Sequence, residues 1–407
     1  MANPHPLWHN RDFMLLWGGQ VVSTLGSMTS HVIYPLLILA LTDSPAAAGV
    51  AGALRFVPYL VFSLPVGALI DRWDRKRVMV FSDLGRAVAV GSIPVAMALD
   101  ALTLPHVYIV CFIEGSLFVF FNIAEVAALP RVVARAQLPE ATAYNEAGFG
   151  VAGIVGPSMG TILYQTFGRA VPFVADAVTY LVSLASLLAI KTRFQADTVV
   201  VKHDLLAEIA EGLRWLWAKP LIRFMAFLTG GLNLVNAAMP LVMIVLAKEL
   251  GAGDAEIGII FSIAGVGGIL GSLVGGRIQR RFTFGQVIAT AIWVAAFSFL
   301  LFAAMPGYIW VGVLAGLFSF VGPIYNVVQF SYRVALIPDA LQGRVNSTFR
   351  LLAFGFMPLG AALSGIVIEQ FGVRAAVVLF AACLLALAAL TTANRHVRDA
   401  APIEHAS

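Results

Sequence analysis

Residues 67–77 read GALIDRWDRKR, from Gly67 to Arg77. Six of these eleven residues are charged: Asp71, Arg72, Asp74, Arg75, Lys76 and Arg77. The whole 407-residue chain is only 12% charged and is 60% hydrophobic. A soluble domain is nearer a quarter charged, so this chain lacks the polar surface that a soluble core of its size requires. Lipid is its expected solvent, and the charged stretch marks a place where the chain emerges into water between two apolar runs.

Working outward from that joint, a bilayer core requires about 20 helical residues at about 1.5 Å each. Twelve segments meet this, near 13–41, 46–70, 78–99, 105–130, 140–166, 171–190, 221–247, 254–276, 285–304, 308–336, 345–369 and 373–393. The first is too long for a cleaved signal peptide and reads as a retained span. Turn-forming breaks such as TDSPAA, FGRAVP, GAGDAE and AMPG separate the segments.

Basic residues set the orientation. With both termini cytoplasmic, the outer connections hold only Arg169, Lys248 and Arg374. Arg55, Arg86, Arg333 and Arg350 lie within spans, which leaves 19 of the 26 Lys and Arg on the cytoplasmic side. That asymmetry accounts for the net charge of +4 without invoking nucleic acid. Cys111 and Cys383 both lie in apolar runs without CxxC or Cys/His metal spacing, so neither a disulfide nor a zinc site is expected. No GxxxxGK[ST] phosphate loop, no metalloprotease motif and no clustered catalytic set is present, so neither an ATP-driven pump nor an enzyme is expected, and no cofactor.

The chain divides into a six-span bundle over 1–190, a polar linker over 191–220, and a second six-span bundle with a short tail over 221–407. In the linker, Leu205, Leu206, Ile209, Leu213, Leu216 and Trp217 recur at helical spacing, with Glu208, Glu211 and Arg214 between them. This predicts an amphipathic helix, lying on the membrane face or packed against the next span. The halves echo each other. Phe167-Gly168 matches Phe371-Gly372 at an offset of 204, and GALIDRW matches GGRIQRR at an offset of 208. Two like-oriented six-span repeats are an architecture of secondary transporters.

With these features together, the chain resembles the major facilitator superfamily. The joint fits its Gly-x-Leu-x-Asp-Arg-x-x-Arg-Lys signature through Gly67, Leu69, Asp71, Arg72, Arg75 and Lys76, with Asp74 in place of a usual glycine. SDLGRA (82–87) and GRVNSTFRLLAFGFMPLGA (343–361) are similar to the bacterial macrolide-efflux-like and enterobactin-exporter-like branch. The resemblance implies an all-α membrane protein of twelve transmembrane helices in two pseudo-symmetric bundles. It also implies that Asp71 and its arginine latch the halves on the cytoplasmic side against the start of span 11, RVNSTFR (344–350).

Arg350 is a natural partner for Asp71, and Glu146 occupies the equivalent place in the first repeat, facing Arg277 or Arg280. Isolated charges inside a span are costly, so each is expected to be paired. The alternative is pairing within a helix or snorkelling to the headgroups. Glu114, about ten residues into span 4, is the leading candidate for proton exchange and for attracting a cationic substrate. Its alternative is a packing carboxyl. In many drug/proton antiporters of the superfamily an Arg stands four residues before the span-4 glycine; here that place is Cys111, ahead of Gly115. His31 and Asp176 complete the proton-coupling candidates, with a structural Arg55–Asp176 ion pair expected. Asp83, Arg86 and Glu125 are expected to extend the cytoplasmic charge network.

The resemblance places the substrate cavity among spans 1, 4, 7 and 10. The candidates there are Gln20, Glu114, Phe118, Asn122, Asn233, Asn236, Tyr325, Asn326 and Gln329. Gly150, Gly153, Gly156 and Gly160 in span 5, and Gly267, Gly271 and Gly275 in span 8, are expected to let these spans slide against each other between halves. The functional expectation is proton-coupled export of amphipathic small molecules (drug-, macrolide- or siderophore-like) by a monomer in a bacterial inner membrane. The alternatives are proton-coupled import, or a transport-inactive sensor or scaffold.

Overall fold

A computed structural model describes residues 6–70, 72–195, 205–338 and 341–400. The long helices are α1 (Arg11–Thr42), α2 (Pro45–Ile70), α3 (Arg75–Ala98), α4 (Leu104–Val132), α5 (Leu138–Phe167) and α6 (Val171–Ala189). A shorter α7 (Leu205–Ala218) precedes α8 (Pro220–Glu249), α9 (Asp254–Arg281), α10 (Phe284–Leu301) and α11 (Tyr308–Leu336). The chain continues through α12 (Gln342–Gly355), α13 (Met357–Phe371), α14 (Val373–Ala393) and a final turn, α15 (Arg395–Arg398). Twelve spans among the described residues are long and apolar enough to cross a membrane. Helices suit this solvent because lipid offers no partners for backbone N–H and C=O groups, so each span must satisfy its own. The freed N–H groups at several span starts are met by side chains. Asn10, Asp74 and Thr103 each accept from a backbone N–H three residues on, and Thr283 forms a reciprocal capping box with Gln286.

The burial pattern is that of a lipid-facing helix. On α3, Phe81, Val88 and Val95 recur every seven residues and are 68%, 65% and 59% exposed, while Asp83 and Arg86 are buried. Apolar side chains face out and charge faces in, the reverse of a soluble amphipathic helix.

Two compact units form, one from residues 1–43 and 54–202, the other from 44–53 and 203–407. In the first, α1 packs on α5 and α6, and α3 packs on α4 and α6. In the second, α8 packs on α13 and α14, and α10 packs on α11 and α14. These are the same four pairings six spans later. The repeat extends to one residue pair: Gly168 ends α5 at φ 92°, and Gly372 ends α13 at φ 83°. Both combine a positive φ with an extended ψ (172° and 164°), a conformation open essentially to glycine alone. Residues 44–53, the first turns of α2, belong to the second unit. Gly49 backs directly onto Gly365, and the Glu369 carboxylate accepts from Ala46 N–H at 2.9 Å.

Three features differ from expectation. Span 11 is not one helix, because it breaks at Phe356 between α12 and α13. Pro358 has no N–H to continue the ladder, and the Phe356 ring packs against Gly230 of α8. The linker helix α7 packs on the next span, α8, where the Trp217 ring lies 6.0 Å from that of Phe227, and also on α12, which was not expected: Gly212 sits against the Arg344 carbonyl, and Arg344 pairs with Glu211. The glycines of spans 5 and 8 serve packing inside their own units. Gly156 and Gly160 approach the α1 backbone at Met28 and Thr29, and Gly267 and Gly271 approach the Gly316 and Phe320 carbonyls of α11.

Candidate functional site

The first unit buries a cluster of charge. On α1, Ser23, Ser27, Ser30 and Tyr34 fall at i, i+4, i+7 and i+11, which places a polar stripe on one face. Asp176 and Tyr180, one turn apart on α6, meet that stripe. Ser30 donates to Asp176 Oδ2 at 2.5 Å and also lies 3.2 Å from the Ser27 carbonyl. The Ser27 hydroxyl is 2.9 Å from Tyr180 Oη, and Tyr180 donates to Glu114 Oε1 at 3.2 Å. Glu114 Oε1 also accepts from Arg55 Nη2 at 2.7 Å, and the Arg55 guanidinium lies 5.5 Å from the centre of the Tyr34 ring.

The expected Arg55–Asp176 pair is therefore replaced by Arg55–Glu114. The reason is local: Gly115 has no side chain, so α4 can approach the Arg55 carbonyl of α2. Asp83 and Arg86 also depart from expectation. They pair with each other in the interior rather than joining a cytoplasmic network, and Arg86 is held between the rings of Tyr180 at 4.4 Å and Phe121 at 4.6 Å. Glu125 accepts from Asn145 at 3.3 Å. Three carboxyls, Asp83, Glu114 and Asp176, thus share the interior with two guanidiniums, Arg55 and Arg86. Among the described residues, Glu114 Oε2 and Asp176 Oδ1 are buried without hydrogen-bond partners. His31 is partly exposed and stands outside this hydrogen-bonded set.

The second unit contains a cavity of about 280 Å³ between α8, α10 and α11. Four of the expected residues line it together: Asn233, Asn236, Tyr325 and Asn326. Thr229 and Ser319 also line it, and both were missed by sequence reasoning because isolated hydroxyls are common in spans. Tyr325 Oη is 2.7 Å from Thr229 Oγ1, and Asn233 donates to the Ala353 carbonyl at 2.9 Å. No lining residue is ionisable apart from Tyr325. Gln329 is buried one turn further along α11 from Tyr325. In the first unit, Gln20 has a buried amide nitrogen without a partner, Asn122 is half-buried, and Phe118 is exposed.

At the charged joint, Asp71 lies outside the described residues, and with it the expected Asp71–Arg350 contact. Arg75 donates from Nη1 to the Ala127 carbonyl at 2.8 Å and the Phe194 carbonyl at 3.2 Å. Lys76 donates to the Ile190 carbonyl at 2.6 Å. The two cations thus engage backbone carbonyls near the C-terminal ends of α4 and α6, where free carbonyls and the helix dipole favour positive charge. Arg72 is exposed, and no atom outside its own helix backbone lies within 4 Å of where a Gly67 side chain would begin. Glu146 and Arg280 are exposed, Arg277 donates to the Leu273 carbonyl of its own helix, and Arg350 lies 5.9 Å from the Phe354 ring centre.

The transmembrane secretion effector family profile matches residues 3–407. The chain is 28% identical to the multidrug efflux pump Tap of Mycolicibacterium fortuitum, over 89% of this chain and 90% of that protein. It is 26% identical to macrolide efflux protein A of Streptococcus pyogenes, again over 89% and 90%. It is also 26% identical to the enterobactin exporter EntS of Escherichia coli, over 82% and 80%. Among solved structures it is similar in fold to the nucleoside transporter NupG, with TM-score 0.75 and 15% identity over 94% of this chain and 99% of that one. A bacterial homologue of the human lysosomal transporter Spinster gives TM-score 0.76 at 13% identity, over 96% and 97%.

Proposed function

Because the chain belongs to the transmembrane secretion effector family of the major facilitator superfamily, we propose that it exports amphipathic small molecules by alternating access, driven by proton entry. The names of its relatives, efflux pumps for drugs and macrolides and an exporter of enterobactin, support the direction and the broad substrate class. The excess of basic residues on one set of connections supports cytoplasmic termini and a bacterial inner-membrane location, and in this reading a single chain suffices.

The observation that carries proton coupling is the charge count of the buried cluster. Three carboxyls face two guanidiniums, and an uncompensated buried charge is strongly unfavourable. Among the described residues, Glu114 has Arg55, Asp83 has Arg86, and Asp176 has only a serine hydroxyl. Asp176 is therefore the proton carrier in this reading. Protonated, it donates to Ser30 while Ser30 donates to the Ser27 carbonyl. Ionised, it accepts from Ser30 and competes with Glu114 for Arg55. Glu114 acts through its ion pair rather than as a lone acid, and His31 is a relay toward water. Asp71, Arg72, Glu146, Arg277, Arg280 and Arg350 form the cytoplasmic gate.

The test is accumulation of erythromycin and fluorescent amphiphiles in cells lacking their main efflux pumps. Cells expressing the chain should retain less, and an uncoupler should erase the difference. Equal retention with and without the chain, across the panel, would remove the exporter reading.

A further inference from the structure

The second unit buries donors that have no acceptor among the described residues. Arg333 on α11 is 5% exposed, yet no carboxylate among the described residues lies within ion-pair distance, and its Nε has no hydrogen-bond partner. The guanidinium is held by aromatic faces instead, 3.9 Å from the Phe349 ring centre and 5.4 Å from that of Phe330. A ring face stabilises the cation electrostatically without using any of its five N–H donors. Gln329, 4% exposed, likewise leaves its amide nitrogen without an acceptor.

These residues lie on α11 beyond the cavity's lining residues, the last of which is Asn326. Asn326, Gln329 and Arg333 fall at i, i+3 and i+7 on α11, so they share one face, with Arg333 about 10 Å along the axis from the cavity residue Asn326. Ser319 and Gly322 extend the same face back through the cavity. The stripe carries hydroxyl, amide and guanidinium groups and no acid. In the other unit Glu114 is already held by Arg55, which leaves it no free charge for a cation. Buried donors without acceptors are costly unless a ligand completes them.

We propose that the cavity between α8, α10 and α11 takes an anionic amphiphile, its apolar body among Ala291, Ile292, Ala295 and Phe318 and its carboxylate, phenolate or sulfonate on Gln329 and Arg333. The site deepens the export reading by naming the charge of the substrate, and it rests on that reading only for the ligand's being cargo. The test uses two xanthene dyes of similar body and opposite charge, carboxyfluorescein and rhodamine 123, with fluorescence polarisation on the full chain in nanodiscs of neutral lipid. The wild type should bind carboxyfluorescein roughly tenfold or more tighter than rhodamine 123. Arg333→Gln should erase that preference, Arg333→Lys should keep part of it, and Asn326→Ala should weaken the anion several-fold. Should Arg333→Gln not fold, the wild-type preference and Asn326→Ala decide. Preference for rhodamine 123, no binding of carboxyfluorescein, or an Arg333→Gln variant as selective as wild type overturns the site. A chain that binds the anion but lowers no compound in cells keeps this site and loses the exporter; one that exports rhodamine 123 without binding carboxyfluorescein does the reverse.

Discussion

Arg55 Nη2 lies 2.7 Å from Glu114 Oε1, and the residue after Glu114, Gly115, lies directly against the Arg55 backbone. A Cβ on Gly115 would stand 2.3 Å from the Arg55 carbonyl oxygen. Ion pair and helix contact therefore depend on each other. Gly115→Val should push α4 off α2, lengthen the pair and lower the melting temperature, whereas Gly153→Ala, with open space around it, should melt like wild type. Thermal unfolding in detergent distinguishes the two, and equal melting of both variants would contradict the close contact.

Removing one partner of a buried pair strands the other. Arg55→Met should destabilise the protein by about 3–5 kcal/mol, and Glu114→Gln added to it should recover most of that loss. A double-mutant cycle by thermal or chemical unfolding measures the coupling. Additive losses would mean that the two residues do not interact energetically.

Gly267 and Gly271 should tolerate nothing larger. A Cβ at either would fall 2.0 Å from a carbonyl oxygen of α11. Gly271→Leu should abolish folded protein in size-exclusion chromatography, while Gly276→Ala on the same helix, with nothing within 4 Å, should elute as wild type.

Arg75 and Lys76 engage carbonyls near the ends of α4 and α6, so their loss should cost stability beyond any effect on topology. Lys76→Met should cost about 1 kcal/mol, and Arg77→Met, whose Asp74 partner is 3.9 Å away at the exposed surface, close to nothing. Unfolding midpoints for the two variants test the difference; equal midpoints would reduce both residues to topology markers.

The spans, the two bundles and the repeat were legible because lipid imposes a simple rule: about 20 apolar residues per crossing, with charge at the joints. The Phe167-Gly168 and Phe371-Gly372 match was readable because both places end a helix with a positive-φ glycine. Pairings were not legible. Arg55 had two buried carboxyls within plausible reach, and the choice of Glu114 depends on helix rotation and on the room left by Gly115, neither of which periodicity reveals. The glycine stripes announced close contacts but not with which helix, so those of α5 and α9 proved to serve α1 and α11. The break at Phe356 was hidden because Pro358 stands in an otherwise unbroken apolar run. The serine and tyrosine stripe of α1 carried a signal, hydroxyls at helical spacing inside a span, that a search for charge passes over.

The most direct test of the account is uptake into inside-out vesicles with the lumen acidified, comparing wild type with Asp176→Asn. In inside-out vesicles an exporter moves substrate into the lumen as protons leave. Wild type should accumulate substrate only when the lumen is acid. Asp176→Asn, neutral at every pH, should still let substrate equilibrate but should no longer respond to the gradient. An Asp176→Asn protein that accumulates substrate with the same pH dependence as wild type would contradict the account.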